Sequence, residues 1–182
     1  MNLTGKLIIA PPNVRGNFWQ KTVIYITEHH SRGSMGIVIN KKSKISIRNF
    51  AQQCGIECDI PGFMFVGGPV NAKALTLLHS SEWNCSNTLH INNEFSLSSS
   101  QDILPRLAMG DRPKKWRLAL GLCAWSPEQL ESEIKGIPPH DHNFSWLIAT
   151  PNQDIAFGLE GQEQWTNAIE QSGLEFVQTV LD

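Results

Sequence analysis

The residues of this chain whose types and spacing could do chemistry sit in a few short stretches. Glu28-His29-His30 opens the polar, Gly-containing turn between the apolar runs 22–27 and 36–40, and a carboxylate beside imidazoles can serve general acid–base work. A histidine next to a turn also orders that turn by hydrogen bonding. For His29 that reading ranks first, with ligand or catalytic contact second because turn residues on rigid scaffolds often carry function. Gly33-Ser34-Met35-Gly36 invites comparison with a nucleophile elbow, but Arg32 stands in place of the first glycine. The setting is also a hairpin turn, whereas the elbow needs a strand-to-helix turn. Cys54 and Cys58 are spaced C-x3-C with no second close pair to complete a zinc site. Cys123, inside the apolar run Leu118–Ala124, reads as a small buried hydrophobe. His140-Asp141-His142 looks like a ligand cluster, yet it follows Gly136-Ile137-Pro138-Pro139 in a loop and reads as solvated histidines. No metal and no cofactor is expected.

Two further features concern binding more than reaction. Phe65-Val66-Gly67-Gly68-Pro69-Val70 is a strand running into a tight turn. Its glycines can turn successive N–H groups into an anion-binding concavity, or they can simply permit a backbone path closed to other residues. The second reading ranks first. Asn40 closes the apolar run Gly36–Ile39, so its amide must find partners at the end of the sheet. Turn N–H groups such as those of Gly67-Gly68 are donors of the right kind. The expected binding face therefore comprises His29, Asn40, Gly67, Gly68 and Pro69, with His29, Asn40 and the glycine turn converging in space. His79 joins the candidates as a partly buried histidine at a strand end. Trp125 reads as packing, since no basic and aromatic residues interleave around it as they do on a base-stacking surface.

These residues are positioned by a mixture of short strands and helices. Strands are predicted near 6–10, 22–28, 36–40, 63–67, 73–79 and 88–91, with 115–122 as the long central strand. Residues 144–150 and 154–158 read as a strand pair around Pro151-Asn152. Helices are predicted over 46–54, from about 98 to 110, after Ser126, and over 162–171 with Gly173 as the stop. Ser126, Pro127 and Gln129 have the spacing of a capping box with proline at the first helical position. The order argues for an α+β fold around a mixed, largely antiparallel sheet with several flanking helices. No linker or repeat divides the chain, so residues 1–182 read as one domain.

Composition narrows the function classes. The chain has 182 residues, 41% of them hydrophobic, enough for a real core. A formal charge of -2 offers no general pull toward nucleic acid or anionic lipid. Leu7-Ile8-Ile9-Ala10 ends at Pro11-Pro12, too short for a signal-peptide core or a membrane span. The four cysteines read as reduced thiols, and a cytoplasmic protein without membrane attachment is expected.

Taken in order, four motifs resemble the YqgE/AlgH family of bacterial proteins over nearly the whole chain. They are the opening Leu3–Pro11 with Phe18; the hairpin carrying His29, Gly33, Gly36 and Asn40; Gly67-Gly68-Pro69-Val70 with Leu78-His79; and Gly121, Trp125, Gln129-Leu130-Glu131 and Glu133-Ile134. The resemblance implies a compact α+β fold with a bent, partly barrel-like sheet, and no settled activity. Lys41-Lys42 stands where the family usually carries arginine-proline, Leu122-Cys123-Ala124 where it carries tyrosine-alanine-glycine, and Ser34 where it carries alanine. Ser34 is accordingly a poor nucleophile candidate. Three functions rank in order: a non-enzymatic module binding a small molecule or a protein, a transcriptional regulator, and an enzyme of unrecognised type. The regulator has only Lys41-Lys42-Lys44-Arg48 and Arg112-Lys114-Lys115-Arg117 as basic clusters and no legible helix-turn-helix, so nucleic acid is not the expected partner. Oligomeric state is not legible.

Overall fold

Strands whose residues are apolar without alternation must be covered on both faces, and this sheet is. The structure is a computed structural model that describes residues 1–139 and 144–181. Its strands are β1 (Leu7–Ile9), β2 (Val23–His30), β3 (Gly33–Val38), β4 (Lys42–Ser46), β5 (Phe63–Val66), β6 (Val70–Ser80), β7 (Thr88–His90), β8 (Phe95–Ser98), β9 (Trp116–Trp125) and β10 (Leu147–Ala149). The helices are α1 (Ile47–Gln53), α2 (Ile103–Ala108), α3 (Gln129–Lys135) and α4 (Gly161–Leu181). One curled sheet runs β10-β1-β2-β3-β9-β6-β8-β7, with β5 between β4 and β9. Every pairing is antiparallel except β5 with β9.

Successive strand residues enter different cores, as the two-residue period requires. Leu7, Ile9, Val23, Tyr25, Ile37 and Ile39 pack with Ala168 of α4. Ile8, Ile24, Ile26 and Val38 pack on the other side with Leu130 of α3 and Trp146. In the second half of the sheet, Met64, Leu77 and Leu118 meet α1 and α2. Helices α1, α2 and α3 have only six or seven residues, too few to persist alone in water. The cores hold them in place, each fully buried Val, Leu or Ile contributing about 1.5–3 kcal/mol.

The chain between β5 and β6 does something unusual. Strand β5 lies along one side of β9, with Phe65 opposite Ala119 and Val66 opposite Leu120. Strand β6 lies along the other side, with Val70 opposite Leu122 and Leu75 opposite Leu120. Gly67-Gly68-Pro69 therefore carries the backbone across β9, and the glycines are there because two main chains touch. A Cβ on Gly67 would lie 2.3 Å from the Gly121 carbonyl oxygen, and one on Gly68 2.2 Å from the Leu122 carbonyl. Both clashes are with backbone, which cannot rotate away.

Several expectations are corrected. Residues 154–158 form a π-helical turn rather than a strand. Side chains supply the partners a ladder would have given: Asn152 Oδ1 accepts from Ile155 N, and Gln164 Nε2 donates to the Ile155 and Ala156 carbonyls. Strands β4 and β8 went unread because their sequences are polar or short. After Ser126 only half of the capping box forms: Gln129 Oε1 accepts from Ser126 N, while the residue preceding α3, Glu128, is left-handed at φ 62°. Helix α4 runs through Gly173 instead of stopping there. A Cβ on Gly173 would have nothing within 4 Å, so Gly173→Ala should raise stability by about 0.5–1 kcal/mol through helix propensity alone. Urea unfolding checks it; a loss of stability would show that α4 depends on the glycine.

Candidate functional site

The structure does not bring the expected binding residues to one face. His29 sits at the turn end of the β2–β3 hairpin, where Leu3 N donates to its Nδ1 and its Nε2–H donates to Glu131 of α3 at 2.8 Å. Burial pushes the Glu131 carboxyl up, but the hydrogen bonds from His29 and from its own backbone N–H, together with the nearby Lys135 charge, hold the group below its ordinary range. Asn40 is at the opposite end of the same hairpin. Its Oδ1 accepts from Val23 N at 2.9 Å, and its Nδ2 donates to the Lys21 and Gly161 carbonyls at 2.7 and 3.0 Å. Six strand residues separate Val23 from His29, or roughly 20 Å. The side chain of Asn40 thus ties β2 and the start of α4 together, and the glycine turn meets neighbouring backbone instead: Val38 N donates to the Gly67 carbonyl at 2.8 Å. Gly67 N–H is itself given to the Leu120 carbonyl, which removes one of the two donors an anion concavity would need.

His79 lies in the other half of the sheet and is fully enclosed. The Ser80 carbonyl accepts from Nδ1–H, so Nε2 is the acceptor for the Ser98 hydroxyl at 2.8 Å. Burial lowers its pKa below the ordinary histidine value. In the unfolded chain the imidazole titrates near 6.5, so between the two values the unfolded state binds more protons. Stability is therefore full above about pH 6.5 and falls as pH drops through and below it. The pH profile of the urea midpoint should lose part of this acid slope in His79→Gln; parallel profiles for the two proteins would contradict the assignment.

Among the expected residues, Pro69 lines a concave site. It and Val70 form one wall of a partly enclosed cavity of about 200 Å³ with Cys123, Trp125, Gln129, Glu133, Trp19 and Trp146. The crossing at Gly67-Gly68 puts Pro69 there, the end of β9 supplies Cys123 and Trp125, and α3 presents Gln129 and Glu133 one turn apart. Glu133 is 2% exposed. Its Oε2 accepts from the indole N–H groups of Trp125 and Trp146 at 3.0 and 2.9 Å, and its Oε1 from Gln129 Nε2 at 2.9 Å. Trp19 stands edge-on to Trp146, ring centres 5.6 Å apart and planes at 85°. Burial pushes the Cys123 thiol up to about 12, with Lys41 opposing the shift; such a thiol carries no thiolate at neutral pH and is no nucleophile. His29 reaches this site only through Glu131, by fixing α3. Among the described residues no group of three or more His, Cys, Asp or Glu gathers to hold a metal. His140, Asp141 and His142 lie outside the described residues.

With this geometry in place, comparison with known proteins decides the family. The AlgH-like family matches residues 7–177. The chain belongs to that family. A UPF0301 protein of Photobacterium profundum is 32% identical, with 96% of this chain and 94% of that protein covered. One from Gluconobacter oxydans is 34% identical over 93% of this chain and 90% of its own. The solution structure of the AlgH protein from Pseudomonas aeruginosa superposes with a TM-score of 0.78 at 29% identity, covering 97% of this chain and 93% of that one. A crystal structure of a Corynebacterium diphtheriae protein, at 19% identity and TM-score 0.71 over 92% and 85% of the chains, shares the fold. The resemblance read from the four motifs and the bent α+β sheet it implied are both found. No function is assigned by these relatives, and no helix among the described residues is long and apolar enough to cross a membrane.

What the sequence reading missed in this AlgH-like chain is the cavity's aromatic lining. Trp19 and Trp146 were not singled out, Trp125 was read as packing, and Glu133 entered only as part of a motif. A signal was present in composition: six tryptophans against one tyrosine, three of them now around one cavity.

Proposed function

We propose that this protein is a non-enzymatic binding module that receives a small ligand, or one side chain of a protein partner, in the tryptophan-lined cavity. The observation that carries the reading is a partly enclosed concavity with three tryptophans among its nine lining residues and a few polar groups fixed by hydrogen bonds, the kind of lining a ligand site has. A larger concavity of about 730 Å³ lies beside Arg48 and Asp59, but it is open to solvent and those two charges already pair. Binding is favoured over catalysis because Cys123 is a protonated thiol and His29 is engaged by Leu3 and Glu131, so the cavity assembles no nucleophile with its base.

Four free cysteines, one of them buried, suit a reducing compartment and support a cytoplasmic location. Regulation by direct DNA binding has little support. Lys42 pairs with Glu160, Arg48 with Asp59 and Lys115 with Asp154, and Arg117 is buried, which leaves four of the eight cations of the two basic clusters for phosphates.

Saturation-transfer NMR with a mixture of amines, sugars, nucleosides and carboxylic acids tests the reading. At least one compound should receive saturation from the protein, and Ala124→Trp, placed at the exposed rim, should abolish the transfer. No transfer to any compound, or transfer unchanged in Ala124→Trp, would overturn it.

A further inference from the structure

We propose that the cavity is a receptor for a compact quaternary ammonium group, a specification that rests on the binding reading above. Three indoles wall the space. Two of them, Trp125 and Trp146, donate their N–H groups to one oxygen of Glu133. An indole that donates to a carboxylate gains electron density, which strengthens the negative face that attracts a cation. Trp19 and Trp146, nearly perpendicular, present two walls of a box rather than a flat stack. The same aromatic run already holds a cation at its outer end: Phe18 packs edge-on against Trp19, and the Lys41 ammonium lies 4.5 Å over the Phe18 ring while donating to the Phe18 carbonyl.

The polar groups decide which kind of cation fits. A primary ammonium brings three N–H donors that each need an acceptor once desolvated. Here Glu133 Oε2 takes two indole donors, its Oε1 takes Gln129 Nε2, and Gln129 Oε1 takes Ser126 N, so these oxygens have at most two lone pairs to offer three donors. A trimethylammonium group needs no acceptor and offers only methyl surface, which suits indole faces. Size agrees: a cavity of about 200 Å³ has room for some seven water volumes of about 30 Å³, close to the seven heavy atoms of choline.

The test titrates the full chain with choline chloride and, separately, with 3,3-dimethylbutan-1-ol, which replaces the quaternary nitrogen by carbon. The indole N–H resonances of Trp125 and Trp146 report directly. Choline should shift both saturably, and its affinity should exceed that of the neutral isostere by about tenfold or more, as a desolvated cation–π contact gives. Trp19→Ala and Glu133→Gln should each weaken choline by about tenfold; Trp19 is only half-buried, so its variant keeps the test open if Glu133→Gln unfolds. Equal binding of the isostere would overturn the cation assignment while leaving a ligand cavity in place. No shift with either compound would also overturn it, and the metabolite mixture then judges the binding reading separately. Choline shifts that persist unchanged in Trp19→Ala would place the cation elsewhere and overturn the proposal.

Discussion

Replacing Arg117 by methionine is expected to cost about 2–6 kcal/mol, a large share of the roughly 5–15 kcal/mol that holds a domain folded. Arg117 sits in β9 at 4% exposure with its guanidinium 4.3 Å over the Phe65 ring. Nη1 donates to the Ile39 carbonyl and to Gln164 Oε1, and Nη2 donates to the Phe157 and Leu159 carbonyls at 3.1 and 3.0 Å. These acceptors belong to the end of β3, the π-helical turn and α4, so one planar group joins three segments to the sheet. Burial lowers its pKa to about 10, with Glu160 opposing the shift, and it stays charged at neutral pH. Methionine fills comparable volume but leaves four acceptors without their donor, and the two buried ones, the Ile39 carbonyl and Gln164 Oε1, cost about 1–3 kcal/mol each while the half-buried Phe157 and Leu159 carbonyls cost less. Arg117→Lys should lose an intermediate amount, because one ammonium cannot span both pairs as the fork does. Urea unfolding at fixed protein concentration measures all three proteins. A loss below about 1 kcal/mol for the methionine variant would show that water takes over the orphaned carbonyls.

Gly68→Ala is expected to be as damaging, for a different reason. Gly68 has φ 154°, and its added Cβ would come within 2.2 Å of the Leu122 carbonyl carbon and oxygen and 2.7 Å of Cys123 N. Overpacking costs about 1–3 kcal/mol where side chains can yield; here both obstacles are main chain, so β5 and β6 must separate from β9 or the crossing must reroute. Loss of soluble folded protein, or a fall of about 3 kcal/mol or more in stability, is the expected outcome. Gly158→Ala is the control, since nothing lies within 4 Å of its added Cβ. Similar stabilities for the two variants would mean that the crossing is looser than its backbone contacts indicate.

The parts of the fold legible in sequence were those where local chemistry and tertiary structure agree. The hairpin of β2 and β3, the long apolar β9 and the short helix α1 all follow from β-branched runs, turns and apolar spacing, while the cap that starts α1, Ser46 Oγ accepting from Asn49 N, was not singled out. The π-helical turn was not legible because its carbonyls are satisfied by Arg117 and Gln164 from distant segments. Arg117 itself was counted in a basic cluster, since nothing local marks an arginine for burial. Little of the candidate site was legible. The glycine turn was recognised as a place of unusual backbone, and Pro69 does line the cavity. Asn40 was matched to the wrong partners because its amide meets Lys21, Val23 and Gly161, the last of them far along the chain. Trp125, Glu133 and Trp146 lie within one stretch of chain but meet only once α3 packs back on the end of β9, and Trp19 joins them from the opposite end of the sequence.

The crossing of β9 by the chain at Gly67-Gly68-Pro69 has a consequence for synthesis on the ribosome. Strands β3, β5 and β6 all use β9 as a neighbour, yet β9 begins at Trp116, some fifty residues after the crossing. A nascent chain that has released its first hundred residues therefore holds three strand edges open toward one missing strand, and β5 and β6 cannot close on each other without blocking the slot. Pairings this distant in sequence form late and slowly, and open edges of this kind invite pairing with other chains. The emerging N-terminal half should depend on dilution or on chaperone cover until Trp116–Trp125 threads beneath the glycines, and a fragment truncated before residue 116 should aggregate where the full chain folds.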